Sequence, residues 1–146
     1  SGLRVSDILK LRVKDVRGKD YISMREKKTK KEKRFIINKN LKKVLEAYTR
    51  GKDDLQYLLE NPNTHRPISR QRAWEVIKNA GEEFGVFNLG THTMRKTFGY
   101  HMYQATHDAV MLMKLFNHSN IHVTLRYIGV EQDQTDQAMA KLDFGV

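Results

Sequence analysis

The chain has 146 residues, 39% of them hydrophobic and 9% aromatic, so it can bury a core of ordinary size and we expect one domain over residues 1–146. It has no cysteine, which excludes disulfides, thiolate metal sites and a cysteine nucleophile. No apolar stretch approaches the roughly 20 residues of a membrane span and no signal peptide is recognisable, so we expect a cytoplasmic protein.

The positive charge is concentrated at one end of the sequence. The formal net charge is +10, and residues 1–50 hold 17 Lys and Arg against 6 Asp and Glu, whereas residues 51–146 hold 10 against 11. Seven of the ten residues in 25–34 are basic. Such a run is compatible with a solvated hairpin tip, but the excess charge also indicates a polyanionic partner.

The N-terminal part predicts a short helix followed by a small sheet. Ser6 is placed to cap a helix that carries apolar side chains and ends near Lys14. Short segments rich in β-branched and aromatic residues then alternate with turn signals, which predicts a three-stranded antiparallel sheet of residues 13–16, 21–25 and 34–37. The opening residues 1–4 are typical of a turn that follows an element of secondary structure, so we expect the natural chain to contain further residues before them.

Helices dominate the remainder of the sequence. Apolar residues at helical spacing, with Gly after several of the runs, predict six helices over residues 41–48, 69–84, 91–102, 109–116, 120–127 and 131–142. The candidate caps are Asn38 or Asn40, Ser69, Thr91, and Ser119 or Asn120. The predicted fold class is therefore mainly α with a small three-stranded antiparallel β-sheet.

One helix start carries two side chains suited to a phosphate. His92 and Arg95 are three residues apart, so they share a face just after the predicted cap Thr91. The N–H groups at a helix N-terminus favour an anion, and an arginine can grip two phosphate oxygens at once. Each residue alone is more often structural than catalytic, so the case depends on what surrounds them.

The order and spacing of five sequence elements resemble the catalytic domain of the tyrosine recombinases of the phage integrase type. Residues 92–95 resemble the family's His-x-x-Arg element, and His118 with Ser119 resembles its Gly-His-Ser element, with Asn117 in place of Gly. Tyr127 then stands nine residues beyond His118. Residues 1–9 resemble the box that supplies a first arginine and a carboxylate, and residues 28–29 resemble the turn that presents a lysine.

The resemblance implies a role for each matching residue. Tyr127 is the expected nucleophile, which forms a 3′-phosphotyrosine with DNA, while Arg4 and Arg95 are expected to hold the phosphate oxygens. His92 and His118 are expected to bond the phosphate or to manage the tyrosine proton, and their division of roles stays open. Asp7 stands where the family more often has Glu, and it is expected to position its neighbours or, equally, to serve only the start of its helix.

Lys28 is the expected acid for the leaving 5′ oxygen, although a shifted turn would give that role to a neighbouring lysine. The residues expected to contact DNA without reacting are Lys27, Lys30, Lys31, Arg70 and Arg72. No cofactor and no metal ion is expected. The expected partners are double-stranded DNA and three further copies of the chain, which would assemble into a homotetramer on DNA through residues 131–146.

Two other functions fit parts of the sequence. A type IB topoisomerase shares the tyrosine, arginines and lysine but relaxes supercoils, and a non-catalytic DNA-binding domain would use the basic hairpin with Tyr127 as a packing residue. The resemblance favours the recombinase and implies a DNA-clamping domain and further helices before residue 1. It leaves integration, excision and chromosome-dimer resolution open.

Overall fold

The computed structural model describes residues 2–25 and 32–142, in which the chain forms two compact units. The first unit runs from Leu3 to Thr91, and the second combines Gly2 with the chain from His92 onward. The single domain over residues 1–146 stays a prediction. Across the described ranges, no helix is long and apolar enough to cross a membrane.

The described part of the first unit contains three α-helices, a short 3₁₀ helix and two pairs of antiparallel strands. Strand β1 pairs with β2, and β3 pairs with β4. In chain order the elements are α1 (Val5–Ile8), the 3₁₀ helix (Val13–Asp15), β1 (Tyr21–Arg25), β2 (Glu32–Ile36), α2 (Lys39–Thr49), β3 (Glu60–Asn61), β4 (Arg66–Pro67) and α3 (Arg70–Glu83).

Side-chain caps start the two longer helices of this unit. The Asn38 side chain accepts a hydrogen bond from the backbone N–H of Leu41 at 2.9 Å, and the Ser69 hydroxyl accepts one from the N–H of Arg72 at 3.0 Å. Each cap satisfies a helix N–H group that has no partner within the helix. Both starts agree with the sequence, which offered Asn38 and Ser69 as caps. The core of the unit consists of Leu3, Leu11, Val16, Ile22, Ile37 and Leu58.

The predicted strand over residues 13–16 is wrong, because this segment forms the 3₁₀ helix. The Asp15 carboxylate accepts a hydrogen bond from the backbone N–H of Arg12 at 2.7 Å, which curls the chain. The N–H of Val13 then bonds the carbonyl of Gln56 at 3.0 Å instead of joining β1. Within the described residues the sheets are therefore two-stranded.

The first helix is also shorter than predicted. It ends at Ile8 and has Arg4 rather than Ser6 at its N-cap. The chain then tightens, because the N–H of Lys10 bonds the carbonyl of Asp7 at 3.2 Å, a three-residue spacing. The fold class is nonetheless confirmed as mainly helical with small antiparallel sheets.

The described part of the second unit is helical. Its elements are α4 (Thr91–Thr106), α5 (Ala109–Phe116), α6 (Ile121–Ile128) and α7 (Val130–Ala140). The Asp108 side chain caps α5 through the N–H of Met111 at 2.8 Å, and the Asn120 side chain caps α6 through the N–H of Val123 at 2.9 Å. Gly129, with φ 84°, separates α6 from α7.

A glycine on α4 allows the helices of this unit to approach closely. A Cβ atom at Gly99 would lie 2.7 Å from Cγ2 of Ile128 and 2.7 Å from Cε2 of Phe116, both of which are buried core side chains. Leu112 and Val130 complete the buried core, against which Tyr127 packs. The absence of a side chain at residue 99 therefore helps to set the distance between α4 and the helices that carry the candidate site.

We expect Gly99→Ala to lower the free energy of unfolding by about 1 to 2 kcal/mol. Overpacking costs about 1 to 3 kcal/mol, and contacts of 2.7 Å to buried side chains put Gly99 in the upper part of that range. The cost therefore exceeds the roughly 1 kcal/mol that alanine gains over glycine within a helix. Urea unfolding followed by circular dichroism measures the change. Thr97→Ala, at an exposed position of α4, is the control and should change stability little. A Gly99→Ala chain at least as stable as the wild type would contradict this packing.

Candidate active site

Arg95 is buried in the second unit and bonds two backbone carbonyls. Its side chain lies on α4, and the residue is only 8% exposed. Its guanidinium donates to the carbonyl of Gly2 and, at 3.3 Å, to the carbonyl of Phe116. The guanidinium carbon also lies 4.3 Å from the centroid of the Phe116 ring. A buried charge is costly unless its N–H donors find acceptors, and the two carbonyls provide them. The bond to Phe116 also joins the end of α5 to α4.

His118 is placed by the turn that ends α5. Asn117 adopts the left-handed conformation, with φ 57° and ψ 44°. The N–H of Asn117 bonds the carbonyl of Lys114 at 3.3 Å, and the N–H of His118 bonds the carbonyl of Met113 at 3.0 Å. These two bonds form a Schellman motif, which usually contains glycine at the left-handed position. Asparagine can adopt this geometry, so the replacement of Gly by Asn preserves the turn.

The His118 ring is held by a threonine that the sequence did not single out. Nδ1 of His118 lies 3.0 Å from the hydroxyl oxygen of Thr124, whose side chain is fully buried. Thr124 is one turn before the buried Ile128 on α6. A polar residue at a core position of an amphipathic helix is the sequence signal that could have found it, because a buried hydroxyl requires a partner.

Tyr127 lies half-buried on α6 among aromatic and cationic groups. Its ring meets the His118 ring edge-on, with centroids 5.2 Å apart, and the Phe116 ring likewise, with centroids 5.6 Å apart. The ammonium group of Lys96, a residue that sequence reasoning missed, lies 5.5 Å from the centroid of the Tyr127 ring. The described structure thus brings together His118, Tyr127 and, through Phe116, the buried Arg95.

The other predicted site residues fall on the first turn of α4, in the first unit and outside the described residues. His92 is exposed on the first turn of α4, three residues before Arg95. In the first unit, Arg4 is the N-cap of α1 and Asp7 lies in the first turn of that helix. Lys27, Lys28, Lys30 and Lys31 fall in residues 26–31, outside the described residues.

Arg70 and Arg72 lie in the exposed first turn of α3. Arg72 also forms an ion pair with Glu75 at 3.2 Å. A concave surface that encloses a volume of about 670 Å³ adjoins this helix start. Arg72 of the turn and Arg66 of β4 both line it. Its lining residues are Asn61, Thr64, Arg66, Pro67, Ile68, Ser69 and Arg72.

Polar contacts join α7 to the helices α4 and α6 of the second unit. A hydrogen bond to Asp133 raises the pKa of Tyr100, and the negative charge of that carboxylate adds to the effect. Glu131 lies 3.7 Å from Nε of Arg126 and 3.6 Å from Nδ1 of His122, both on α6. The C-terminal apolar side chains Met139 and Leu142 are exposed.

Comparisons with known proteins give one consistent answer. The sequence profile of the phage integrase family matches residues 1–134. The chain is 44% identical over 138 residues to the probable integrase/recombinase YoeC of Bacillus subtilis (strain 168), covering 94% of this chain and 76% of that protein. It is 29% identical over 145 residues to the tyrosine recombinase XerA of Pyrococcus horikoshii, covering 97% of this chain and 50% of that protein.

Two solved structures have the same fold. A crystal structure of XerA recombinase matches with a TM-score of 0.72 and 19% identity, over 98% of this chain and 55% of that one. The XerH site-specific recombinase, in a post-cleavage complex with a palindromic difH substrate, matches with a TM-score of 0.70 and 18% identity, over 96% of this chain and 42% of that one. This chain thus spans about half the length of the Xer proteins it matches, and three quarters of YoeC. From the profile match and the identity to YoeC, the chain belongs to the phage integrase family and is an enzyme of the tyrosine recombinase type.

Proposed function

We propose that this chain is the catalytic part of a site-specific recombinase in which Tyr127 cleaves and rejoins DNA. The observation that carries the proposal is the packing of the Tyr127 ring against His118 and Phe116. The carbonyl of Phe116 is in turn bonded by the buried Arg95. A nucleophile, a proton-transferring group and a permanent cation are the parts that phosphoryl transfer needs near one another.

The reaction balances without an external energy source. The phenol oxygen of Tyr127 attacks the scissile phosphorus, so that an O–P bond to tyrosine forms while the bond to the 5′ oxygen breaks. The phenol loses its proton, and the departing 5′ oxygen gains one. A 5′-hydroxyl of another strand can reverse these events, because the phosphotyrosine linkage conserves the energy of the broken phosphodiester bond.

The arginines and histidines would stabilise the transferring phosphoryl group. Arg95, with Arg4 at the start of α1, would hold the non-bridging oxygens, since a planar guanidinium bonds two oxygens at fixed geometry. His92 and His118 would donate hydrogen bonds to the phosphate or carry the tyrosine proton, a task suited to imidazole at neutral pH. Asp7 would position these groups.

The basic run of residues 25–34 would supply the proton for the 5′ oxygen, with Lys28 as the acid. Lys27, Lys30 and Lys31 would contact the DNA backbone beside it. Such contacts position a protein on the duplex without reading sequence.

On the first unit, Arg70 and Arg72 are suited to the same backbone contacts. They are exposed at the start of α3, and the concave surface that Arg72 shares with Arg66 could receive a phosphate. The XerH complex, which contains difH substrate, supports DNA as the partner. We place the activity in the cytoplasm of a bacterium or phage host.

Assembly of a homotetramer on DNA is part of the proposal, with residues 131–146 reaching a neighbouring copy. Helix α7 is largely exposed; Met139 near its end is 63% exposed, and Leu142 just beyond its end is 61% exposed. Exposed apolar side chains near the end of a mainly polar helix are suited to covering by another protein surface.

The substitution Tyr127→Phe tests the proposed nucleophile. Incubation with a nicked suicide DNA substrate that carries a candidate attachment site should give a denaturant-resistant protein–DNA adduct with the wild type and none with the variant, because only the phenol oxygen has been removed. DNA binding measured by gel shift should stay within about threefold, since binding depends chiefly on basic contacts to phosphate.

Tyr103→Phe is the matched control, because Tyr103 is another half-buried tyrosine of the second unit. Its adduct yield should equal that of the wild type. Adducts that persist in Tyr127→Phe would contradict the assignment. DNA binding without any wild-type adduct would favour the non-catalytic DNA-binding function.

The double substitution Met139→Ser with Leu142→Ser tests the assembly. On DNA with paired binding sites, the variant should need at least about 10-fold more protein to form higher-order complexes, because each buried apolar side chain contributes about 1.5 kcal/mol or more. Binding to a single site should be unchanged. The control is Val44→Ser on α2, which is 63% exposed. Equal assembly by the double variant and the control would count against this role.

A further inference from the structure

The candidate site contains a buried hydroxyl that the reaction as described does not use. Thr124 is fully buried on α6, three residues before Tyr127. Its hydroxyl oxygen lies 3.0 Å from Nδ1 of His118 and 3.4 Å from the carbonyl oxygen of Asn120. One short segment of chain therefore holds the histidine, the hydroxyl and the tyrosine.

The proton of this hydroxyl can serve only one of the two contacts. A carbonyl only accepts, so the bond to Asn120 exists only if Thr124 donates. Three other helical threonines donate to the carbonyl four residues earlier: Thr49 to Leu45 at 2.7 Å, Thr106 to Met102 at 2.8 Å and Thr135 to Glu131 at 2.9 Å. This local bond is common for threonine in helices. With its proton given to Asn120, Thr124 accepts the hydrogen bond from His118.

The bond from the Thr124 hydroxyl to the Asn120 carbonyl is long, as expected for a hydroxyl that has His118 as a second partner. Its 3.4 Å bond to Asn120 is longer than those of the other three threonines, and Thr124 also contacts a histidine nitrogen. A hydroxyl that accepts from Nδ1–H suits both charge states of the ring, because the imidazolium also has a proton on Nδ1. The ring can therefore gain or lose a proton at Nε2 while the bond to Thr124 stays in place.

We propose that Thr124 is a positioning residue that holds His118 with its proton on Nδ1, so that His118 acts on the reacting groups through Nε2. The inference rests on the proposed function and deepens it. In the neutral state Nε2 accepts a proton, and in the imidazolium state it donates one. Because Thr124 and Tyr127 lie on the same helix, α6 orients the histidine and the nucleophile together.

Nuclear magnetic resonance tests the tautomer without any need for activity. Two-bond nitrogen–proton correlations of the ¹⁵N-labelled chain distinguish Nδ1–H from Nε2–H in a neutral imidazole, and His118→Gln assigns the signal. Wild type and Thr124→Ser, which keeps the hydroxyl, should show His118 as Nδ1–H. Thr124→Val, which keeps the shape and removes the hydroxyl, should lose that preference.

Two controls accompany the spectra. The same substitution at another fully buried helical threonine, Thr49→Val, should leave the His118 signal unchanged, and thermal unfolding checks that each variant is folded. Nε2–H as the neutral form of His118 in the wild type, or the same tautomer in wild type and Thr124→Val, would overturn the proposal.

Single-turnover cleavage of the suicide substrate then tests whether Thr124 acts through His118. We expect Thr124→Val to slow cleavage about 10-fold, less than the roughly 10²-fold or more that a general acid–base group contributes, and Thr124→Ser to stay within about threefold of wild type. In a His118→Gln background, Thr124→Val should cause no further loss.

The two proposals fail in different ways. An equal loss from Thr124→Val with and without His118 overturns the positioning role while the recombinase function stands. A wild type that shows Nδ1–H but forms no adduct contradicts the proposed function, whereas the bond between Thr124 and His118 is then supported.

Discussion

The burial of a permanent positive charge is the constraint on which the second unit depends. Arg95 cannot lose its proton to avoid the cost of burial, so its N–H groups must find acceptors inside the protein. The carbonyls of Gly2 and Phe116 provide them. The Phe116 ring, under the same guanidinium, is the surface against which both Tyr127 and His118 pack. The contacts that stabilise the buried charge of Arg95 thereby also position Tyr127 and His118, the two groups proposed for the chemistry.

The rest of the site follows from short-range chain geometry. A left-handed Asn117 turns the chain out of α5, Asn120 caps α6, and the left-handed Gly129 ends it. The intervening segment is only one short helix, so the side chains at positions 118, 124 and 127 are placed by local rules rather than by long-range pairing. Gly99 allows α4 to lie close against this segment. Together these features place the tyrosine that we propose as the nucleophile.

Local rules also explain what could be predicted from the sequence. The helices that begin at Asn38, Ser69 and Asn120 were predictable because their caps and apolar spacing agree with the packing that follows. The strand over residues 13–16 was not, since β-branched residues favoured it while the Asp15 side chain bonds the backbone N–H of Arg12 and curls the chain. The resemblance singled out Tyr127 and His118, but it could not show that Arg95 bonds the carbonyls of Gly2 and Phe116 or that Thr124 contacts the His118 ring. The Arg95 contacts join distant parts of the chain, and the Thr124 contact depends on the turn between α5 and α6.

The assignment of Tyr127 as the nucleophile is the central claim, and the most direct measurement is to find which residue carries the DNA. Covalent complexes formed with a suicide substrate would be digested with nuclease and protease, and the peptides sequenced by mass spectrometry. We expect a nucleotide joined through its 3′ phosphate to the peptide that contains Tyr127, at that residue. A nucleotide attached to Tyr100, Tyr103 or any other side chain would contradict the account.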